Sequence, residues 1–133
     1  MTMKLPLPSS TMVREELDAI FQLSPGNNDA YYLRSMIDYS ENKMKDAEEA
    51  FNKLYNSKPM DARGLLGLVE IAMTQNRPND AKALLQKEMS ATKDPRVVRL
   101  ALANVYVRSG NYDEAVKEYQ VLLQKAPESE DLN

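Results

Sequence analysis

The fold is decided by residues 96–129, RVVRLALANVYVRSGNYDEAVKEYQVLLQKAPES. Near the middle of this stretch lies Ala115, and large apolar side chains follow it four, seven and eight residues later, at Tyr119, Leu122 and Leu123. This spacing places a small and three large side chains on one stripe of an α-helix. A second helical stretch precedes the short turn Arg108-Ser109-Gly110-Asn111. Residues 96–129 therefore predict a helical hairpin.

The same pattern recurs every 34 residues without a gap. The small residue forms a column at Val13, Ala47, Ala81 and Ala115. The columns of large residues contain Leu17, Phe51, Leu85 and Tyr119, then Ile20, Leu54, Glu88 and Leu122, then Phe21, Tyr55, Met89 and Leu123. A final column holds prolines, which cannot continue a helix, at Pro25, Pro59 and Pro127. The remaining unit has Lys93 in this column and its proline, Pro95, two residues later. Because one hairpin cannot bury both of its faces, this period indicates a stacked array of hairpins.

The chain resembles the tetratricopeptide repeat (TPR) family, whose pattern is W-x2-L-G-x2-Y…A-x3-F…P over 34 residues. The copy at 96–129 matches it at Leu102, Ala103, Tyr106, Ala115, Tyr119 and Pro127. Arg99 stands in place of the family's Trp. The resemblance implies an all-α fold, a right-handed superhelical solenoid of antiparallel helix pairs with about seven helices.

The copy at 28–61 departs from the pattern, because Arg34, Ser35 and Asp38 occupy places that are normally apolar or small. One explanation is an ion pair between Arg34 and Asp38, which lie four residues apart on the helix. The other is a slip of the helix by one residue, which would turn inward the side chains of Tyr32, Met36 and Tyr39. We keep the gap-free register.

The period divides the chain into six segments. We expect an extended tail or cloning remnant at 1–9, the second helix of an incomplete repeat at 10–27, TPR-like repeats at 28–61, 62–95 and 96–129, and the start of a truncated further repeat at 130–133. Natural arrays usually end in polar capping helices. We therefore expect the chain to be a fragment of a larger TPR protein.

In a stack of such hairpins, the first helices line the inner, concave wall. In the gap-free register we predict a partner-binding groove at Tyr32, Met36, Tyr39, Arg63, Leu66, Glu70, Met73, Asn104 and Arg108, with Val97, Leu100 and Val107 in the same columns. Aromatic and Met side chains suit a groove for an extended peptide or a helix. The mid-groove Glu70 disfavours a peptide's C-terminal carboxylate. The alternative interpretation places some of these residues in the core between helices.

Composition excludes several classes of function. The 133 residues carry a net charge of −3 and contain no His and no Cys, which argues against nucleic-acid binding, zinc sites and thiol or imidazole catalysis. Gly64 and Gly67 lack the surroundings of a phosphate-binding loop and indicate close helix packing instead. We predict no enzyme activity, no catalytic residue, no cofactor and no metal. No signal peptide or membrane span is evident, so we place the chain in the cytoplasm by default.

Three hypotheses for function follow. The leading one is a protein–protein interaction scaffold that binds a peptide or helix of an unidentified protein partner in the groove. The second is homo-oligomerisation through the open ends of the array, where a neighbouring molecule would contact Met12, Leu17, Ile20 and Phe21. The third is a module that regulates an enzyme domain elsewhere in the parent protein, since one fold hosts many functions.

Overall fold

A computed structural model describes residues 9–58 and 61–125 of the chain. Within these residues it contains seven α-helices and no strand: α1 (Ser10–Leu23), α2 (Asn28–Ser40), α3 (Met44–Ser57), α4 (Ala62–Thr74), α5 (Pro78–Ala91), α6 (Pro95–Arg108) and α7 (Tyr112–Lys125). The predicted all-α class and number of helices are confirmed. The predicted tail up to residue 8, the prolines at 59 and 127 and the predicted start of a repeat at 130–133 lie outside the described residues.

Local signals set where several helices begin. The side chain of Ser9 accepts a hydrogen bond from the Met12 amide at the start of α1, and the side chain of Asn27 accepts one from the Ala30 amide, at 2.9 Å, at the start of α2. Helices α5 and α6 each start with a proline. Both devices suit a helix N-terminus, where the first amides lack carbonyl partners within the helix.

The turns within the hairpins repeat the same backbone geometry every 34 residues. The residues with positive φ are Asn42 at 62°, Asn76 at 58° and Gly110 at 77°. The next amide in each turn donates to a carbonyl five residues earlier, in the pairs Lys43–Asp38, Arg77–Ala72 and Asn111–Tyr106. This is the left-handed closure that commonly ends a helix. The period read from side chains is therefore present in the backbone.

The chain divides into two compact units, Met1–Gly67 and Leu68–Asn133. In the first unit, α1 packs on α2 and α2 packs on α3. Its buried apolar side chains are Leu17, Ala30, Ala47, Ala50, Phe51, Leu54 and Leu65. The start of α4 lies close to α3, because a Cβ on Gly64 would lie 2.6 Å from the backbone nitrogen of Tyr55, and one on Gly67 would collide with the Phe51 ring. The interpretation of both glycines as packing positions is confirmed.

In the second unit, α5 packs on α6 and α6 packs on α7. Its buried apolar side chains are Val69, Ile71, Ala72, Ala81, Leu85, Val98, Leu102, Ala103, Val105 and Ala115. Arg99, in the place of the family's Trp, forms an ion pair with Glu118 of α7 at 3.1 Å. Both side chains are largely buried, so an ion pair joins α6 and α7 at this position.

The columns of the repeat are most fully buried on α3 and α5, whereas α1 and α7 each carry both buried and exposed members. Ala47 and Ala81 are fully buried. Some of the large residues on α1 and α7 are exposed, since Ile20 on α1 is 37% exposed and Leu123 on α7 is 66% exposed. Within the described residues, no helix precedes α1 or follows α7 to cover these side chains.

The gap-free register of α2 is the one observed. Ser35 is fully buried and Asp38 is 4% exposed, whereas Met36 is 42% exposed. The one-residue slip, which would turn Met36 inward, is therefore wrong. Ser35 fits this position because its hydroxyl donates to the Tyr31 carbonyl at 2.6 Å, which satisfies a polar group that burial would otherwise destabilise.

The expected ion pair between Arg34 and Asp38 is also wrong. Asp38 pairs with Arg14 of α1 at 2.5 Å. The guanidinium of Arg34 instead lies 5.3 Å from the centroids of the Phe21 and Tyr31 rings. Asp38 therefore pairs with an arginine of another helix, Arg14, whereas the nearer Arg34 contacts two aromatic rings.

Candidate functional site

The candidate site in the first unit comprises Tyr32, Met36 and Tyr39 on α2 with Arg63 and Leu66 on α4. Met36 is 42% and Leu66 is 39% exposed, whereas both tyrosines are half-buried. The Tyr32 ring meets the buried Phe51 ring in an edge-on contact at 6.5 Å. Tyr32 therefore belongs both to the core and to the surface, as the alternative interpretation allowed.

Arg63 is the polar centre of this surface. It donates to Asp29 at 2.8 Å and to Asp61 at 2.7 Å, and its guanidinium lies 4.8 Å from the centroid of the Tyr32 ring. Hydrogen bonding with Arg63 lowers the pKa of Asp61 below its ordinary value. The hydrogen bonds to Asp61 and Asp29 raise the pKa of Arg63. The two carboxylates thus hold and neutralise the cation.

The candidate site in the second unit comprises Glu70, Met73, Asn104 and Arg108. Arg108 at the end of α6 forms an ion pair with Glu70 of α4 at 2.7 Å. Asn104 is exposed and Met73 is half-buried. The structure thus brings two of the four predicted residues together as a charged pair and leaves an amide on the open face of α6.

Exposed apolar side chains accompany these polar residues on α6. Val97 is 41%, Leu100 is 54% and Val107 is 39% exposed. Val97 and Leu100 also line a cavity of about 410 Å³ between α6 and α7, together with Asp94, Arg96, Leu122 and Leu123. We call the exposed face formed by Val97, Leu100, Asn104 and Val107 the α6 face. Three of its four side chains are apolar, and the charged Arg108 follows Val107 at the end of the helix.

The described residues contain no group of three or more Asp or Glu side chains placed to hold a metal ion. In the same part of the chain, no helix combines the length and the apolar character that a membrane crossing requires. The chemistry on offer at both surfaces is apolar contact, ring stacking and hydrogen bonding, which is the chemistry of protein recognition.

The comparison with family models covers most of the second unit, from the end of α4 onward. Residues 72–133 match the tetratricopeptide repeat family model. The resemblance predicted from the sequence is thereby confirmed. A comparison with curated proteins finds no match. TPR modules are generally non-enzymatic units of protein interaction.

Solved TPR structures share the fold. A crystal structure of MamA is 18% identical, with a TM-score of 0.65 over 90% of this chain and 72% of that one. PilF of Pseudomonas aeruginosa is 16% identical, with a TM-score of 0.63 over 86% of this chain and 52% of that one. This chain thus spans about half the length of the PilF structure. At these identities the likeness shows the fold, and the predicted TPR-like solenoid class is confirmed.

Sequence reasoning missed part of the polar setting of the candidate site. It did not include Asp61 beside Arg63, although a carboxylate two residues before an arginine at a helix start is a local signal. It also assigned no function to Arg34 or Lys53, whose side chains both lie over the Tyr31 ring. That arrangement joins two helices, and no local spacing indicates it.

Proposed function

We propose that the chain is a protein-interaction scaffold of the TPR type that binds a peptide or helix of a protein partner on the exposed faces of its first helices. The observation that supports this proposal most strongly is the α6 face. Leu100 is 54% exposed although it lies in a helix that packs against both neighbours. Adjoining exposed apolar side chains commonly mark an interaction surface.

The charges of these surfaces indicate the kind of peptide. Arg63 contacts two carboxylates and Arg108 contacts Glu70. An acidic ligand would have to displace these carboxylates from the two arginines. The displaced carboxylates would remain close by and repel the ligand. We therefore propose a ligand with apolar side chains and no cluster of negative charge. Val97 and Leu100 supply apolar area, and Asn104 supplies one donor and one acceptor for the ligand backbone.

A selection of short random peptides against the full chain provides ligands for testing the α6 face. Val97→Asp and Leu100→Asp should each weaken binding of the recovered peptides about tenfold, because each places a carboxylate where an apolar side chain docks. Val116→Asp is the matched control, since Val116 lies on α7 and is 51% exposed. Calorimetry measures the affinities, and circular dichroism confirms that each variant folds. Equal binding by Val97→Asp and Val116→Asp would place the ligand elsewhere.

A second candidate function is self-association through the outer helices. Met12 is 55% and Leu23 is 89% exposed on α1. Of the residues first expected there, Leu17 is only 2% exposed, because it packs in the core, and the Phe21 ring makes a tilted contact with the Tyr31 ring, with 4.7 Å between the centroids. The self-associating surface would therefore be Met12, Ile20 and Leu23. Sedimentation that yields a monomer at all micromolar concentrations would eliminate this alternative.

A further inference from the structure

A cluster of two aromatic rings and two cations lies in the first unit, apart from the residues proposed above. The rings of Phe21 and Tyr31 lie 4.7 Å apart. The guanidinium of Arg34 lies 5.3 Å from both ring centroids, and the ammonium of Lys53 lies 5.8 Å from that of Tyr31. Helices α1, α2 and α3 each contribute to the cluster, so packing within the unit sets its geometry.

An open, shallow cavity of about 420 Å³ adjoins the cluster. It is lined by Pro25, Gly26, Tyr31, Lys53, Asn56 and Ser57. Gly26 has no atom within 4 Å of where its Cβ would be, so the turn leaves the cavity open. We call these six residues together with Arg34 the basic-aromatic pocket.

The two cations of the pocket are not neutralised. Among the described residues neither Arg34 nor Lys53 has a carboxylate within ion-pair distance, whereas Arg14, Arg63, Arg77, Arg99 and Arg108 each have one. Asp38, the acid nearest along the helix to Arg34, is taken by Arg14. Contact with an aromatic face stabilises an exposed cation only weakly and does not cancel its charge. The pocket therefore offers two cations that an acidic ligand could pair with without displacing a carboxylate of the chain.

We propose that the basic-aromatic pocket binds a Glu or Asp side chain of an acidic segment in a partner protein. The ammonium of Lys53 would donate to the carboxylate, and the Asn56 side-chain amide offers a further donor. The methylene groups of the bound side chain would pack on the Tyr31 ring, while Arg34 adds positive charge. This site goes beyond the proposed function, because it uses another surface and the opposite ligand chemistry.

Titration of the isotope-labelled full chain with a blocked penta-glutamate peptide tests the pocket. Amide signals of Gly26, Asn56 and Ser57 should shift in a saturable manner, and blocked penta-glutamine should leave them unchanged. Added salt should weaken the binding, since the contacts are ionic and partly exposed. An absence of shifts at these three amides, or equal shifts with penta-glutamine, overturns the proposal.

Substitutions separate the pocket from general attraction of acidic peptides. Lys53→Gln and Arg34→Gln should each lower the affinity for penta-glutamate about threefold. Lys45→Gln is the matched control, because it removes the same charge from an exposed position on α3, about 12 Å away along the helix. Circular dichroism confirms folding, and binding of neutral apolar peptides should be unchanged in all three variants. Equal losses in Lys45→Gln and Lys53→Gln contradict a defined pocket.

Discussion

The carboxylate of Asp38 accepts a hydrogen bond from Arg14, which lies 24 residues earlier on α1, at 2.5 Å. Arg14 donates a second hydrogen bond to Glu41 at 2.8 Å. One guanidinium thus ties α1 to the second half of α2 and to the turn that follows it. Asp38 is nearly buried. The bond from Arg14 therefore compensates the loss of hydration of this carboxylate.

Double-mutant cycles test whether Asp38 pairs with Arg14 or with Arg34. Asp38→Ala should destabilise the chain by about 2 kcal/mol, because it removes a charge-assisted hydrogen bond and leaves Arg14 without its nearly buried partner. Arg14→Ala should show strong coupling to Asp38→Ala, and Arg34→Ala should show almost none. Urea unfolding of the three single and two double variants measures both coupling energies. Coupling between Arg34 and Asp38 of the same size as that between Arg14 and Asp38 would contradict the observed pairing.

Glu41 makes the stability of the chain depend on pH in the acidic range. Hydrogen bonds from Ser10 and then from Arg14 lower the pKa of Glu41 to about 2, from an ordinary value of 4.5. Because the folded pKa is the lower one, this contribution to stability is complete above about 4.5 and is lost as the pH falls towards 2. Glu41→Gln should therefore flatten the stability curve in this window. A side-chain titration by NMR that gives Glu41 an ordinary pKa would refute the argument.

The packing of the repeat could be predicted because its determinants are local. Ala47, Ala81 and Ala115 occupy one position of the pattern, and each is at most 2% exposed. A small residue followed by large ones at helical spacing carries this information within a single helix. The partners of Arg14 and Arg34 could not be predicted in this way, because the choice depends on which of two long side chains reaches Asp38 once α1 has docked.

Gly64 and Gly67 should resist replacement by alanine although alanine favours a helix by about 1 kcal/mol. At Gly64 the added methyl group would meet the backbone of Tyr55, and at Gly67 it would meet the buried ring of Phe51. Overpacking of this kind typically destabilises by about 1–3 kcal/mol. We expect Gly64→Ala to be the more damaging, since a helix backbone yields less than a side chain. A higher melting temperature for either variant would show that α3 and α4 are not in close contact there.

The turn at Gly110 should tolerate alanine poorly. Its φ of 77° lies in the left-handed region, which raises the energy of an L-amino acid by about 1–2 kcal/mol. Gly110→Ala should therefore destabilise by about 1 kcal/mol. Gly26→Ala is the control, because Gly26 has open space around its Cβ position and no positive φ. Equal effects of the two substitutions in urea unfolding would mean that the positive φ of this turn does not penalise alanine.

The sequence was sufficient to predict which helix positions of the candidate site are exposed. It was not sufficient to predict the polar contacts between them. The repeat register indicated the exposed positions of Met36, Leu66 and Leu100 correctly, because which side of a helix faces out follows from the same period as the core. The stacking of Arg63 on Tyr32 and its two carboxylate partners depend on the distance between α2 and α4. Sequence spacing alone does not supply that distance.

The most direct test of the proposed function is the amide spectrum of the labelled full chain with a selected peptide bound. We predict that the largest shifts fall on the α6 face, at Val97, Leu100 and Asn104, and that Leu100→Asp raises about tenfold the peptide concentration needed to produce them. Shifts confined to α7, at Tyr112, Val116 and Tyr119, would contradict the proposal, because the ligand would then occupy the outer helix of the hairpin.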